Sequence, residues 1–131
     1  MTTFLCDTNV LSELTRPRPN AGVAEWAQEI SSIAVSVITV EEIAYGLAWK
    51  PNPRILGWFQ EFLLDSEILP VTAEIAGRSG RLRGTLQARG KSRSQADMLI
   101  AATAQFHGLT LVTRNARDFE DCGLSLLDPF H

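Results

Sequence analysis

Apolar and polar positions along this chain switch repeatedly between a short extended pattern and a helical one. Thr3 to Cys6 is an apolar run that stops at Asp7-Thr8-Asn9, after which Val10, Leu11 and Leu14 fall at helical spacing until Pro17 and Pro19 break it. Asn20 is a good N-cap for a second helix to about Ile30, with Val23, Trp26, Ala27 and Ile30 on one face. Ile33 to Ile38 is rich in β-branched residues and reads as a buried strand that hands over to a helix at Thr39. That helix ends near Pro51-Asn52-Pro53, and another follows with Ile55, Leu56, Trp58, Phe59, Phe62 and Leu63 apolar. Glu67 to Val71 is a short strand, and Thr72 to about Arg89 is helical with Gly90 in the usual terminating place. Ala73, Gly77, Gly80, Gly84 and Ala88 form a small-residue stripe on it, expected to mark close packing against a neighbour, because glycine costs a helix about 1 kcal/mol relative to alanine. Ser94 opens an apolar helix from Ala96 to Phe106; Leu109 to Thr113 and Leu124 to Leu127 are strands on either side of a polar stretch.

Strands alternating with helices of this length imply βαβ crossovers and a mostly parallel sheet covered on both faces, in one domain spanning residues 1–131. Composition agrees: 45% of the residues are apolar and 21% charged, which excludes disorder and low complexity. No apolar run approaches the roughly 20 residues of a membrane helix, so a cytoplasmic location is expected. Cys6 and Cys122 lie far apart in sequence and read as two reduced interior thiols.

Each acid has an ordinary structural reading when taken alone. Asp7 can cap the next helix, Thr39-Val40-Glu41-Glu42 fits a capping box, Asp97 stands three residues after Ser94, and Asp118 sits among solvated acids. Topology changes that reading, because in a parallel sheet helices begin at the edge where strands end. Asp7, Glu42, Asp97, Asn115 and Asp118 therefore all fall at the carboxyl edge, where open α/β folds place ligands. Clustered carboxylates repel one another, and a divalent cation relieves the repulsion. All-oxygen donors suit Mg²⁺ or Mn²⁺ rather than zinc, since His107 closes a helix and His131 ends the chain. Such an ion, without other catalytic equipment, points to phosphodiester hydrolysis. There is no G-x-S-x-G elbow, no phosphate-binding P-loop, and no Cys with a plausible His base.

The net charge of −3 does not advertise a polyanion binder, so any such function is local. Arg78, Arg81, Arg83, Arg89, Lys91 and Arg93 are half of the basic residues, and no acid occurs between Glu74 and Asp97. Arg81, Arg83, Arg89 and Lys91 are the expected contacts to the phosphates of a polyanionic substrate, against the plainer alternative of a solvated helix face.

Four segments, Phe4 to Glu13 (FLCDTNVLSE), Ser36 to Leu47 (SVITVEEIAYGL), Ala96 to Ala104 (ADMLIAATA) and Leu111 to Asn115 (LVTRN), together closely resemble the PIN-domain family. Within it they look like the VapC group of bacterial toxin ribonucleases, and the resemblance runs from Thr3 to about Asp128. It implies an α/β/α sandwich and Mg²⁺- or Mn²⁺-dependent endonucleolytic cleavage of RNA. It also implies the toxin role in a type II toxin-antitoxin pair, a VapB-like antitoxin, and a homodimer. Carried over by position, Asp7 and Asp97 would be the principal metal ligands and Glu42 the next acid, with Glu41 on the exposed face. The family often has an acid directly after the Thr-Arg pair of the late strand, where this chain has Asn115; either Asn115 orients water there or Asp118 supplies the charge. Asn9 and Thr113 would support the site by hydrogen bonding. Trp49, Trp58, Phe59 and Phe62 would contribute to a dimer or antitoxin surface. Two alternatives stand beside this reading: a catalytically inactive interaction module, and a haloacid-dehalogenase-like phosphatase, which fits worse because Asn9 stands where a second Asp is required.

Overall fold

The computed structural model describes residues 2–131. Its elements follow the expected alternation: β1 (Phe4–Cys6), α1 (Thr8–Leu14), α2 (Ala21–Glu29), β2 (Ala34–Ser36), α3 (Val37–Trp49), α4 (Pro53–Leu64), β3 (Glu67–Leu69), α5 (Ala73–Ala88), α6 (Gln95–His107), β4 (Thr110–Val112), a 3-10 helix (Ala116–Cys122) and β5 (Leu126–Leu127). The five strands form one all-parallel sheet in the order β3-β2-β1-β4-β5.

Successive strand residues point to opposite sheet faces, and that period of two splits the interior into two cores. Leu5, Ala34 and Leu111 face Leu86, Met98, Ile100 and Phe119 of α5, α6 and the 3-10 helix. Cys6, Val35 and Val112 face Val10, Leu11, Val23, Trp26, Ile43 and Phe59 of α1 to α4. The result is the three-layer sandwich. Both cysteines are free and buried, and among the described residues no helix is long and apolar enough to cross a membrane.

Caps explain where most helices begin. Asn20, Asn52, Thr72 and Ser94 each accept a backbone N–H of the turn they open. Gly90 and Gly108, at φ +78° and +65°, terminate α5 and α6 in the left-handed conformation that glycine adopts without strain.

Three expectations are corrected. The second strand is only Ala34–Ser36, and Ser36, not Thr39, caps α3, its Oγ accepting the Ile38 amide at 3.0 Å. Thr39 thus lies inside the first turn, fully buried, so Glu42 does not close a capping box with it. The small-residue stripe does not pack within the chain: a Cβ at Gly80 or Gly84 would meet nothing within 4 Å, and one at Gly77 only the Arg81 side chain. Ala73 and Ala88 are exposed as well. The buried face of α5 is instead Ile75, Ser79 and Leu86. Finally, the polar stretch after β4 contains the 3-10 helix, held by buried Phe119 and Cys122.

Candidate active site

Asp7 follows β1 and caps α1, at 5% exposure. Its Oδ1 accepts the Thr8 amide at 2.8 Å; its Oδ2 accepts the Thr113 hydroxyl at 2.9 Å and Asn9 Nδ2 at 3.3 Å. Thr113, fully buried at the end of β4, thereby ties two adjacent strand ends together, and it also accepts the Asn115 amide at 3.0 Å. Glu42, one turn into α3, accepts the Thr8 hydroxyl at 2.8 Å. Glu41, beside it, is exposed. Asp97 stands in the first turn of α6, its amide donating to Ser94 Oγ at 3.0 Å.

Electrostatics show that these acids share one locality. Burial pushes the Asp7 carboxyl above its ordinary 3.8; the bonds from Thr113 and Thr8 oppose this, and the charges of Asp97 and Glu42 add to it. Burial likewise raises Asp97, Ser94 opposes, the Asp118 charge raises it further, and Arg93 opposes. Asp118 is exposed, yet its charge is felt at Asp97, whereas the Asn115 side chain makes no capping bond to the 3-10 helix it opens.

Among the described residues, no three His, Cys, Asp or Glu side chains converge closely enough to form a finished metal cage. The donor set nevertheless suits a hard divalent cation. Asp7, Glu42, Asp97 and Asp118 offer only oxygen, and none has a basic partner within 4.0 Å among the described residues, where the ion pairs are Arg16–Glu13 and Lys91–Asp121.

The basic segment divides. Arg81, Arg83 and Arg89 are exposed and outside any ion pair of the described residues, while Lys91 is bound to Asp121 at 2.8 Å and Arg78 to Gln105 at 3.2 Å. Arg93, not singled out at the site from sequence, is held against it, Nε donating to the Asp118 carbonyl at 2.9 Å. Thr8 was also missed as the partner of Glu42, although its place in Asp7-Thr8-Asn9 was the available signal. A third feature has no local sequence signature: a groove of about 350 Å³ between α3 and α4, running from Thr8 and Glu42 over Ile43, Leu47, Ile55 and Phe59. Elsewhere on α3, Tyr45 and Trp49 are 66% and 71% exposed, whereas Phe59 is buried and Trp58 stacks on Phe62 at 5.0 Å.

A PIN domain profile matches residues 4–123, which includes the segments carrying all these acids. The chain belongs to the PIN-domain family. This PIN domain is 35% identical to the VapC ribonuclease Y4jK of Sinorhizobium fredii over 136 aligned positions, covering 97% of each chain. Among solved structures it resembles FitAcB from Neisseria gonorrhoeae with a TM-score of 0.87 at 33% identity, over 98% of this chain and 99% of that one. It also resembles a chain of a toxin-antitoxin complex from Klebsiella pneumoniae with a TM-score of 0.78 at 27% identity, over 98% and 99%. The all-parallel sheet flanked by helices is thus that of a PIN fold.

Proposed function

We propose that this PIN domain is the toxin of a toxin-antitoxin pair, an endoribonuclease that hydrolyses RNA phosphodiesters with Mg²⁺ or Mn²⁺. The observation that carries the reading is the group of Asp7, Glu42, Asp97 and Asp118 at one sheet edge without basic partners. The match to a VapC ribonuclease over nearly the full chain supports RNA as the substrate.

Asp7 and Asp97 would hold the ion, with Glu42 beside them, and a bound ion would supply Lewis acidity toward the scissile phosphate and toward water. The chain's own part is orientation. Thr8 and Thr113 fix both oxygens of Asp7, and the Thr8 hydroxyl turns Glu42 toward the same edge. Asp118 provides the fourth charge by its effect on Asp97, and Asn115 a neutral group for water. Arg81, Arg83 and Arg89 would track the RNA backbone, with Lys91 contributing less while it pairs with Asp121. An antitoxin segment laid in the α3–α4 groove would cover Glu42, consistent with the relative solved in a toxin-antitoxin complex. The proposal includes a homodimer.

Purified protein freed of any antitoxin should cleave total RNA with Mg²⁺ or Mn²⁺ and stop in chelator, with Zn²⁺ a poor substitute. Full activity in excess EDTA would sink the metal mechanism; folded, metal-loaded protein that cuts no RNA would sink the ribonuclease reading.

A further inference from the structure

One arginine is shared between the tail of the chain and the acidic site. After β5, Asp128 Oδ1 accepts the Phe130 amide at 3.0 Å and turns the chain. Asn20 then grips the backbone of His131 from both sides, accepting its amide at 3.2 Å and donating to its carbonyl at 2.8 Å. The seat is tight: a Cβ at Gly22 would stand 2.3 Å from the Pro129 carbonyl oxygen. Docked in this way, the tail puts the Phe130 ring against the Arg114 guanidinium, 4.6 Å from the ring centroid.

The other end of Arg114 is fixed by the site. Its backbone N–H donates to Asn9 Oδ1 at 3.1 Å, and Asn9 reaches Asp7 Oδ2. Arg114 is nonetheless exposed. It opens onto a cleft of about 490 Å³ that it lines together with Asn115, Arg117, Asp118, Glu120 and Asp128, so that of the site residues only Asn115 and Asp118 border it. Three carboxylates, Asp118, Glu120 and Asp128, line this cleft, yet none stands within 4.0 Å of the Arg114 guanidinium. A contact over an aromatic ring holds a guanidinium in place without consuming its N–H donors. An immobilised arginine with unspent donors is a fork prepared for an anion, with part of the ordering entropy already met by the fold.

We propose that Arg114, held over Phe130, is a substrate-binding residue that takes the phosphodiester adjoining the scissile one as single-stranded RNA enters the cleft between residues 114 and 128. This deepens the ribonuclease reading and rests on it.

The test uses full-length protein, a short fluorescent single-stranded RNA, and cleavage kinetics over a range of salt. Arg114→Gln should raise KM about tenfold with little change in kcat, the scale of one charge-assisted contact. It should also flatten the log-log salt dependence of binding by about 0.7. Arg114→Lys should recover part of the affinity. Phe130→Leu should act in the same direction, more weakly, and add nothing in the Arg114→Gln background. Unchanged KM and salt slope in an Arg114→Gln protein that still cleaves RNA overturns the proposal alone, whereas a wild type that neither binds nor cleaves RNA overturns the ribonuclease reading beneath it. If Arg114→Gln weakens only the complex with an antitoxin, the fork serves a protein carboxylate and the RNA assignment is wrong. If Phe130→Leu fails to fold, the two Arg114 substitutions decide the matter, since that side chain is exposed.

Discussion

At the scale of residues, Asp7 and Asp97 are each asked to do two opposed things: to lie at the N-terminal end of a helix, Asp7 as its cap and Asp97 in its first turn, which favours their charge, and to lie partly buried among other carboxylates, which does not. Both titrate above 3.8 in the folded chain, so their contribution to stability is fully present below about that pH and lost as pH rises through the folded values. At pH 7 the ionised pair opposes folding. Asp97→Asn is therefore expected to raise the melting temperature of the metal-free protein at pH 7, with the gap closing toward pH 3.5. Cleavage should fall by at least about 100-fold. Thermal unfolding across pH checks this; a loss of about 1 kcal/mol at pH 7 with activity kept would reduce Asp97 to a helix-capping acid. Thr113→Val tests the support of the same site. It removes a buried hydroxyl that serves both Asp7 and the Asn115 amide, so cleavage should drop about 10- to 100-fold and stability by about 1–3 kcal/mol in chemical denaturation. An unchanged rate would make Thr113 a core residue only.

At the scale of elements, strands of two or three residues suffice because each is paired in register with a parallel neighbour and the central ones are buried on both faces, as in Leu5 against Leu111 and Cys6 against Val112. Helix positions that look alike in sequence behave differently once packed. Gly22 in α2 is pressed against the Pro129 carbonyl, while Gly84 in α5 faces open space. Gly22→Ala should cost about 1–3 kcal/mol through forced displacement of the tail. Gly84→Ala should add about 0.5–1 kcal/mol by helix propensity. Paired melts of the two variants read both signs, and equal effects would mean that the tail does not dock on α2.

At the scale of the whole molecule, the groove between α3 and α4 runs up to Thr8 and Glu42 at the acidic edge, so a partner bound there would also close the site. Trp49, 71% exposed, should act in binding and hardly at all in folding. Trp49→Glu is expected to leave stability within about 0.5 kcal/mol and RNA cleavage unchanged, while weakening the antitoxin complex by tenfold or more. Titration calorimetry with the antitoxin, alongside a melt, separates the two. Unaltered affinity would move the partner surface elsewhere.

Period and punctuation alone determined the order of strands and helices, the parallel sheet, and the gathering of Asp7, Glu42 and Asp97 at one edge, because side chains alternate locally and strand ends share an edge by topology. Caps at Asn20 and Ser94 and the stop at Gly90 were readable for the same reason: a cap is a bond between residues two or three apart. Thr39 and the glycine stripe were misread because a local motif competes with burial. Ser36 captured the helix start once Thr39 was drawn into the interior, and α5 turned its bulkier residues inward. Only the tertiary structure paired Thr8 with Glu42, joined Thr113 to Asp7 across 106 positions, and brought the tail back to Asn20 and Arg114. Those contacts join residues distant in the chain, and no periodic pattern encodes which distant side chains meet when two layers close on a sheet.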